Sequence, residues 1–224
     1  MPRANRHHLP GHVWHITQRC HRQEFLLKFR RDRRLWRYWL YQARRRYGLC
    51  VLNYIVTSNH VHLLVRDEGR GEIPRAMQLI AGRVGQAYNR RKGRKGAFWE
   101  DRYHATAVET GAHLARCLVY LDQNMVRAGW VRHPSEWEVS GYREIQPPLD
   151  RHRVMDPRAL LGCLEIGSLA ELKERHTEWV AEPLAADRAV RDERWTAGVA
   201  VNSRAYVGEV RRALGLRALG QGRR

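Results

Sequence analysis

The stretch Cys50–Asp67 reads C-V-L-N-Y-I-V-T-S-N-H-V-H-L-L-V-R-D, and its reading decides the fold. Two runs of β-branched and apolar residues flank a short polar break, Thr57-Ser58-Asn59, which is the pattern of a β-hairpin. The second arm opens with His60-Val61-His62. Strand side chains alternate faces, so His60 and His62 share one face, while Val61, Leu63 and Val65 share the other and can supply a core. Two imidazoles at i and i+2 can share one cation, histidine being the commonest metal ligand. Taken alone, the same pattern also fits two hydrogen-bonded polar residues at the start of a strand.

Ahead of the hairpin, His12–Gln18 reads H-V-W-H-I-T-Q, a strand ended by Arg19. His15, in mid-strand, reads as a packed or hydrogen-bonded core histidine rather than a ligand. Asp32–Tyr47 places Leu35, Trp36, Trp39, Leu40, Ala43 and Tyr47 on one helical stripe that Gly48 stops. The other face carries Arg33, Arg37, Arg44 and Arg45, either solvated or tracking phosphates. After the hairpin, Gly69–Gly71 makes a turn and Pro74 suits the first turn of a second helix. Its apolar stripe is Ile73, Met77, Ile80, Val84, Ala87 and Tyr88, and it runs into N-R-R-K-G-R-K-G at Asn89–Gly96, expected as a mobile basic loop. Arg102–Glu109 reads as a fourth strand. Thr110 is expected to cap a third helix over Ala112–Ala128, closed by Gly129. The order β-α-ββ-α-β followed by a helix predicts an α+β fold with a ferredoxin-like antiparallel sheet. Pro147-Pro148 marks a boundary between residues 1–148 and a helical, basic C-terminal appendage, residues 149–224, of unassigned role. Periodic stretches in that appendage cover Ala170–Val180 and Asn202–Leu214.

The chain has 224 residues, room for one large domain or one with an appendage. Lys+Arg number 41 against 23 Asp+Glu, a formal net charge of +18. That excess points to a polyanionic partner, above all nucleic acid, with a merely soluble basic protein as the other reading. Arg90, Arg91, Lys92, Arg94, Lys95 and Arg102 are expected to hold DNA phosphates. Trp99 beside them can stack on an exposed base or fill the core. Cys20, Cys50, Cys117 and Cys163 are far apart, so neither a zinc ribbon nor a disulfide framework is indicated, and a reducing compartment is the simpler choice. No apolar run reaches membrane length and the N-terminus is no signal peptide, so the expected location is the cytoplasm, alongside the nucleoid. A Walker A sequence is absent, so no nucleotide cofactor is expected.

The chemistry these residues permit is phosphoryl transfer to a tyrosine. An unperturbed phenol, with a pKa near ~10, attacks poorly unaided. A divalent cation on the phosphodiester would compensate the developing charge. His60, His62 and the amide oxygen of Asn124 would give three neutral ligands. Tyr120 and Asn124 lie four apart on the third helix, hence on one face. If that helix crosses the histidine face, Tyr120 sits beside the same phosphate. Attack would leave a 5′-phosphotyrosine and a free 3′-hydroxyl, and rejoining would need no ATP. Tyr88 and Tyr103 are rival tyrosines, but Tyr88 completes an apolar stripe and Tyr103 has no ligating partner at i+4.

Four segments together carry a resemblance: N-H-V-H after an apolar strand, A-F-W-E-D-R-Y at Ala97–Tyr103, Y-L-D-Q-N-M-V-R-A-G-W-V at Tyr120–Val131, and P-S-E-W-E-V-S-G-Y at Pro134–Tyr142. With the early H-V-W-H-I-T-Q-R, they resemble the HUH single-tyrosine transposases of the IS200-like class, most closely the REP-associated tyrosine transposases, from about His12 to Tyr142. The resemblance implies a ferredoxin-like catalytic domain and Mg²⁺- or Mn²⁺-dependent cleavage and joining of single-stranded DNA. It also implies recognition of a short imperfect hairpin, the repetitive extragenic palindrome; the sequence leaves both monomer and homodimer open. It places the metal histidines on His60 and His62, the nucleophile on Tyr120 and the third ligand on Asn124. Thr57-Ser58-Asn59 stands where that family usually has Met-Pro-Asn, and Asn124-Met125-Val126 where it has Asn-Pro-Val; neither departure removes a reacting group. Two other readings stay open: a hairpin DNA- or RNA-binding protein derived from a transposase that no longer cuts, and an HUH nicking enzyme of replication or conjugation.

Overall fold

The hairpin forms where the apolar runs place it, with β2 at Cys50–Val56 and β3 at His60–Arg66. The structure is a computed structural model that describes residues 9–146, 153–185, 198, 200–201 and 203–215; the Pro147-Pro148 pair lies outside them. Before the hairpin stand β1 (Val13–Arg19) and α1 (Arg30–Tyr47), and after it α2 (Glu72–Lys92) and β4 (His104–Val108). The strands lie in the order β2-β3-β1-β4, with every neighbouring pair antiparallel, as the split β-α-β reading requires. A two-residue strand from the C-terminal region, β5 (Ala200–Val201), adds parallel to β4 and makes the sheet mixed. Periodicity pointed only to helices there, because two residues are too few to show alternation.

Helices α1 and α2 pack on each other. The α1 stripe buries Trp36, Leu40 and Ala43, and Gly48 ends the helix in the left-handed conformation. Most of the arginines expected on its solvated face are instead engaged. Arg37 donates to Tyr54 Oη and pairs with Glu144, Arg33 donates to the Leu27 and Lys28 carbonyls and lies 4.4 Å over the Trp137 ring, and Arg44 donates to the Arg153 carbonyl.

The third helix begins where expected but differs in its cap and in its end. It starts at Ala112 after Gly111, whose φ of 65° with ψ of −134° favours glycine, and Thr110 does not cap it. It ends at Asp122, so α3 is Ala112–Asp122; Gln123 breaks the helical run and a single turn, α4 (Asn124–Arg127), follows. Beyond come α5 (Tyr142–Ile145), α6 (Pro157–Leu164), α7 (Leu169–Ala185) and α8 (Arg204–Ala213). Val154, Leu160, Cys163, Leu172 and Val210 join one buried cluster with Val13, Leu63 and Leu118, so the described C-terminal residues share the core of the sheet.

Two irregularities aim side chains. The β2–β3 register shifts between Val51 and Asn53, leaving Leu52 as an extra residue. The bulge re-phases the strand, so Asn53 pairs with Leu64 on the histidine face and Tyr54 faces α1. The P-S-E-W-E-V-S-G-Y motif then covers the outer edge of β2. Val56 N donates to Val139 O and Gly141 N to Tyr54 O, and the Trp137 indole donates to Val56 O. An edge strand covered in this way cannot recruit another chain.

Candidate active site

The register of β1 against β3 pairs Thr17 with His62 and His15 with Leu64, which sets His15 diagonally across from His62 on one face. Their rings stack with centroids 5.0 Å apart, and His15 Nε2 lies 2.9 Å from His62 Nδ1. Both imidazoles are buried, His15 at 0% and His62 at 2% exposure. His62 therefore commits Nδ1 to β1 and turns Nε2 towards α4, where the Asn124 amide nitrogen lies 3.0 Å away. Burial holds the His62 imidazole well below the ordinary histidine range, and nearby His60, His15, Arg127 and Arg19 push the same way. It is thus neutral at physiological pH, the form that ligates a metal.

His60 stands perpendicular to His62 with centroids 4.8 Å apart. Its Nδ1 meets Asn59 Oδ1 at 2.7 Å and Thr57 Oγ1 at 3.0 Å. The Thr57 hydroxyl donates to the His60 carbonyl and the Asn59 amide nitrogen to the Gln23 carbonyl. Both oxygens facing the ring are therefore acceptors, Nδ1 carries the proton, and a ligand role falls to Nε2. The polar break of the hairpin thus sets the tautomer of the first histidine.

Tyr120, on the last turn of α3, meets both buried histidines edge-on, with centroids 6.0 Å from His62 and 6.2 Å from His15. The Arg127 guanidinium lies 4.3 Å over the Tyr120 ring and donates to the Tyr120 carbonyl at 2.7 Å. Helix α3 and the turn α4 therefore cross the histidine face, bringing Tyr120 and Asn124 against His62, beside which stand His60 and His15, with Arg127 over the Tyr120 ring. His15 read as core from sequence, and its contact with His62 depends on register. Arg127 had a usable signal, since seven residues after Tyr120 is two helical turns.

The donor set fits a divalent cation in kind. No group of three His, Cys, Asp or Glu that could hold a metal occurs among the described residues, so an ion here would rest on two imidazoles and one amide. A half-turn of the Asn124 amide presents Oδ1 where Nδ2 now stands. All three donors are neutral, and imidazole favours softer ions than an all-oxygen cage would.

The basic stretch is rearranged from the expected loop. Helix α2 runs through Lys92, so Arg90, Arg91 and Lys92 lie on its last turn and only Gly93–Gly96 follow as loop. Arg91 pairs with the buried Asp32 at 2.5 Å and stacks on Tyr88. Arg94 donates to the Ala97 carbonyl, and Lys92 lies over the Phe29 ring. Arg90, Lys95 and Arg102 are exposed. Trp99 is half-buried, its indole donating to the Ala81 carbonyl and its ring against Phe98. Of the rival tyrosines, Tyr88 packs on Phe98 and Tyr103 is buried. A second basic surface is a cleft of about 570 Å³ between α1 and the β2-edge segment, lined by Arg30, Arg34, Arg37, Arg143, Tyr38 and Tyr41 among others. Glu138 lies in it, paired with both Arg30 and Arg34.

These features first define a class: an α+β protein with a ferredoxin-like strand order, whose histidine pair faces a helix-borne tyrosine. The chain belongs to the IS200-like transposase family, whose model matches residues 10–124, just over half of the sequence and all of the site from His15 to Asn124. Among solved structures, a REP-associated tyrosine transposase bound to a REP hairpin has the same fold. The TM-score is 0.55 at 20% identity, covering 70% of this chain and 94% of that one. No curated protein matches the chain. Among the described residues no helix is long and apolar enough to cross a membrane.

Proposed function

We propose that this protein is a DNA strand transferase that cuts and rejoins single-stranded DNA at repeat hairpins through a 5′-phosphotyrosine. The observation that carries the reading is the convergence of Tyr120 and Asn124 on the neutral His62. The Tyr120 phenolic oxygen forms a bond to phosphorus and loses its proton. The P–O3′ bond breaks, its electron pair leaves on the 3′-oxygen, and that oxygen takes up a proton. The new phosphoester resembles the one broken, so a 3′-hydroxyl can reverse the step without ATP. A divalent cation, Mg²⁺ or Mn²⁺, held by His60, His62 and Asn124 would compensate charge on the phosphodiester. Arg127 holds a positive charge against the ring that carries the attacking oxygen. His15 and the Thr57-Asn59 pair fix which imidazole nitrogens face the site. Arg90, Lys92, Lys95 and Arg102 are the exposed cations of the basic stretch and would hold DNA phosphates, and the hairpin-bound relative supports a hairpin partner.

Tyr120→Phe tests this directly, because it removes only the hydroxyl. Hairpin binding and folding should survive, while cleavage and the covalent protein–DNA band on a denaturing gel should vanish. Tyr88→Phe should retain both. A Tyr120→Phe protein that still forms the adduct would show that another residue attacks. Wild-type protein that binds hairpins but forms no adduct with Mn²⁺ would leave a hairpin-binding protein that does not cut.

A further inference from the structure

The family match ends at Asn124, yet the short segment between Tyr120 and Asn124 is gripped by residues beyond it. Asp122, the last residue of α3, is 1% exposed and takes one carboxylate oxygen to His176 Nε2 on α7 at 2.8 Å. Its other oxygen accepts from the Asn53 amide at 3.1 Å, the side chain that the β2 bulge aims inward. His176 is fully buried, and Gln146 meets its Nδ1 at 3.0 Å. The neighbouring Gln123, the residue that breaks the helical run, donates through its side chain to the Val180 carbonyl of α7 at 3.1 Å. Both residues lying just before Asn124 are thus tied to one C-terminal helix.

Tyr120 belongs to α3 and Asn124 starts α4, so the angle at Gln123 sets how the tyrosine and the amide meet His62. A break in a helix frees backbone groups and leaves its angle to the tertiary contacts around it. Two buried hydrogen bonds to a single helix supply that constraint. We propose that α7 is a positioning element of the active site, with His176 and Gln123 as positioning residues that fix the Tyr120–Asn124 geometry. This gives the C-terminal region a role in catalysis, and it rests on the reading of Tyr120 as nucleophile.

The test uses the full chain and the variants His176→Leu, His176→Gln and Gln123→Ala. Three quantities are read: the adduct-forming rate at saturating hairpin DNA, the hairpin Kd, and amide exchange across residues 119–127. A misplacement of the reacting groups by an ångström lowers a rate by up to ~100-fold, so His176→Leu and Gln123→Ala should lose on the order of 10–100-fold in rate. Hairpin Kd should stay within about two-fold, since binding does not need the Tyr120–Asn124 geometry. Exchange should quicken across 119–127 and not in β1 or β3. His176→Gln, whose amide can donate to Asp122 from the same place, should recover most of the rate. If His176→Leu does not fold, Gln123→Ala decides, because it leaves the buried Asp122 satisfied. Variants that fold and react at the wild-type rate would overturn the proposal, as would a His176→Gln protein no faster than His176→Leu. Absence of any adduct from wild-type protein overturns the nucleophile assignment and this proposal together, whereas an adduct that wild type and variants form equally fast overturns this one alone.

Discussion

Gly141 lies against Asn53 so closely that a methyl group at position 141 would stand 1.9 Å from Asn53 Oδ1 and 2.8 Å from Met155 Sδ. Its φ is an ordinary −71°, so close approach and not backbone conformation requires the glycine. Asn53 cannot swing aside, because its Nδ2 donates to Asp122 and its Oδ1 accepts from Tyr54 N. Gly141→Ala should therefore cost about 1–3 kcal/mol by overpacking. Urea unfolding measures this, and a loss below roughly 0.5 kcal/mol would mean that the β2 edge is looser than the contact implies.

The cations of the basic stretch should separate into two groups. Arg91 neutralises Asp32, which is 1% exposed, so Arg91→Ala strands a buried carboxylate and should cost about 3 kcal/mol in stability. Arg90→Ala, Lys95→Ala and Arg102→Ala combined should leave the melting temperature nearly unchanged. They should instead flatten the salt dependence of hairpin binding, by roughly 0.7–0.9 in log–log slope for each phosphate that is no longer neutralised. Anisotropy titrations across a salt series measure that slope. An unchanged slope would remove these three residues from the binding surface.

His15 should matter for metal binding although it is not itself a proposed ligand. It meets His62 Nδ1 and so directs Nε2 outward. Removing a partner that orients a ligating histidine lowers metal affinity about 10–100-fold. His15→Phe keeps a ring in the core while deleting that bond, so calorimetry with Mn²⁺ should show a loss of this order with folding intact. Equal Mn²⁺ affinity in the folded variant would separate His15 from the site.

Stability should fall in mild acid. Burial, and then the Arg19 guanidinium, hold the His104 imidazole below its ordinary value. Above about pH 6.5 both folded and unfolded chains keep this ring neutral, and it contributes no pH dependence. Below that, the unfolded chain takes up a proton that the native chain refuses, so native stability drops as pH falls. His104→Asn should flatten part of the decline in melting temperature between about pH 6.5 and 5, the interval just below the free histidine pKa. A decline of the same steepness in the variant would assign it to other groups, His62 among them.

The strands and first two helices were legible because their signals are local. The alternation of Val61, Leu63 and Val65 against His60 and His62 follows from strand geometry alone, and the Trp36-Leu40-Ala43 stripe follows from the helical repeat. The spacing of Tyr120 and Asn124 pointed the same way, although it assumed one unbroken helix. The break at Gln123 was not legible, since its competing partners lie on α7, more than fifty residues away in the chain. The same is true of His15, whose contact with His62 depends on pairing two strands in one register. Asn53 reads as an anomaly in an apolar strand until the bulge turns it towards Asp122. Periodicity in the sequence by itself therefore determined the strand and helix types from β1 to β4 and the α+β class. Tertiary structure decided the tautomers, the helix break and which arginines are spent on carboxylates, because each of these is a contact between residues that sequence distance does not bring together.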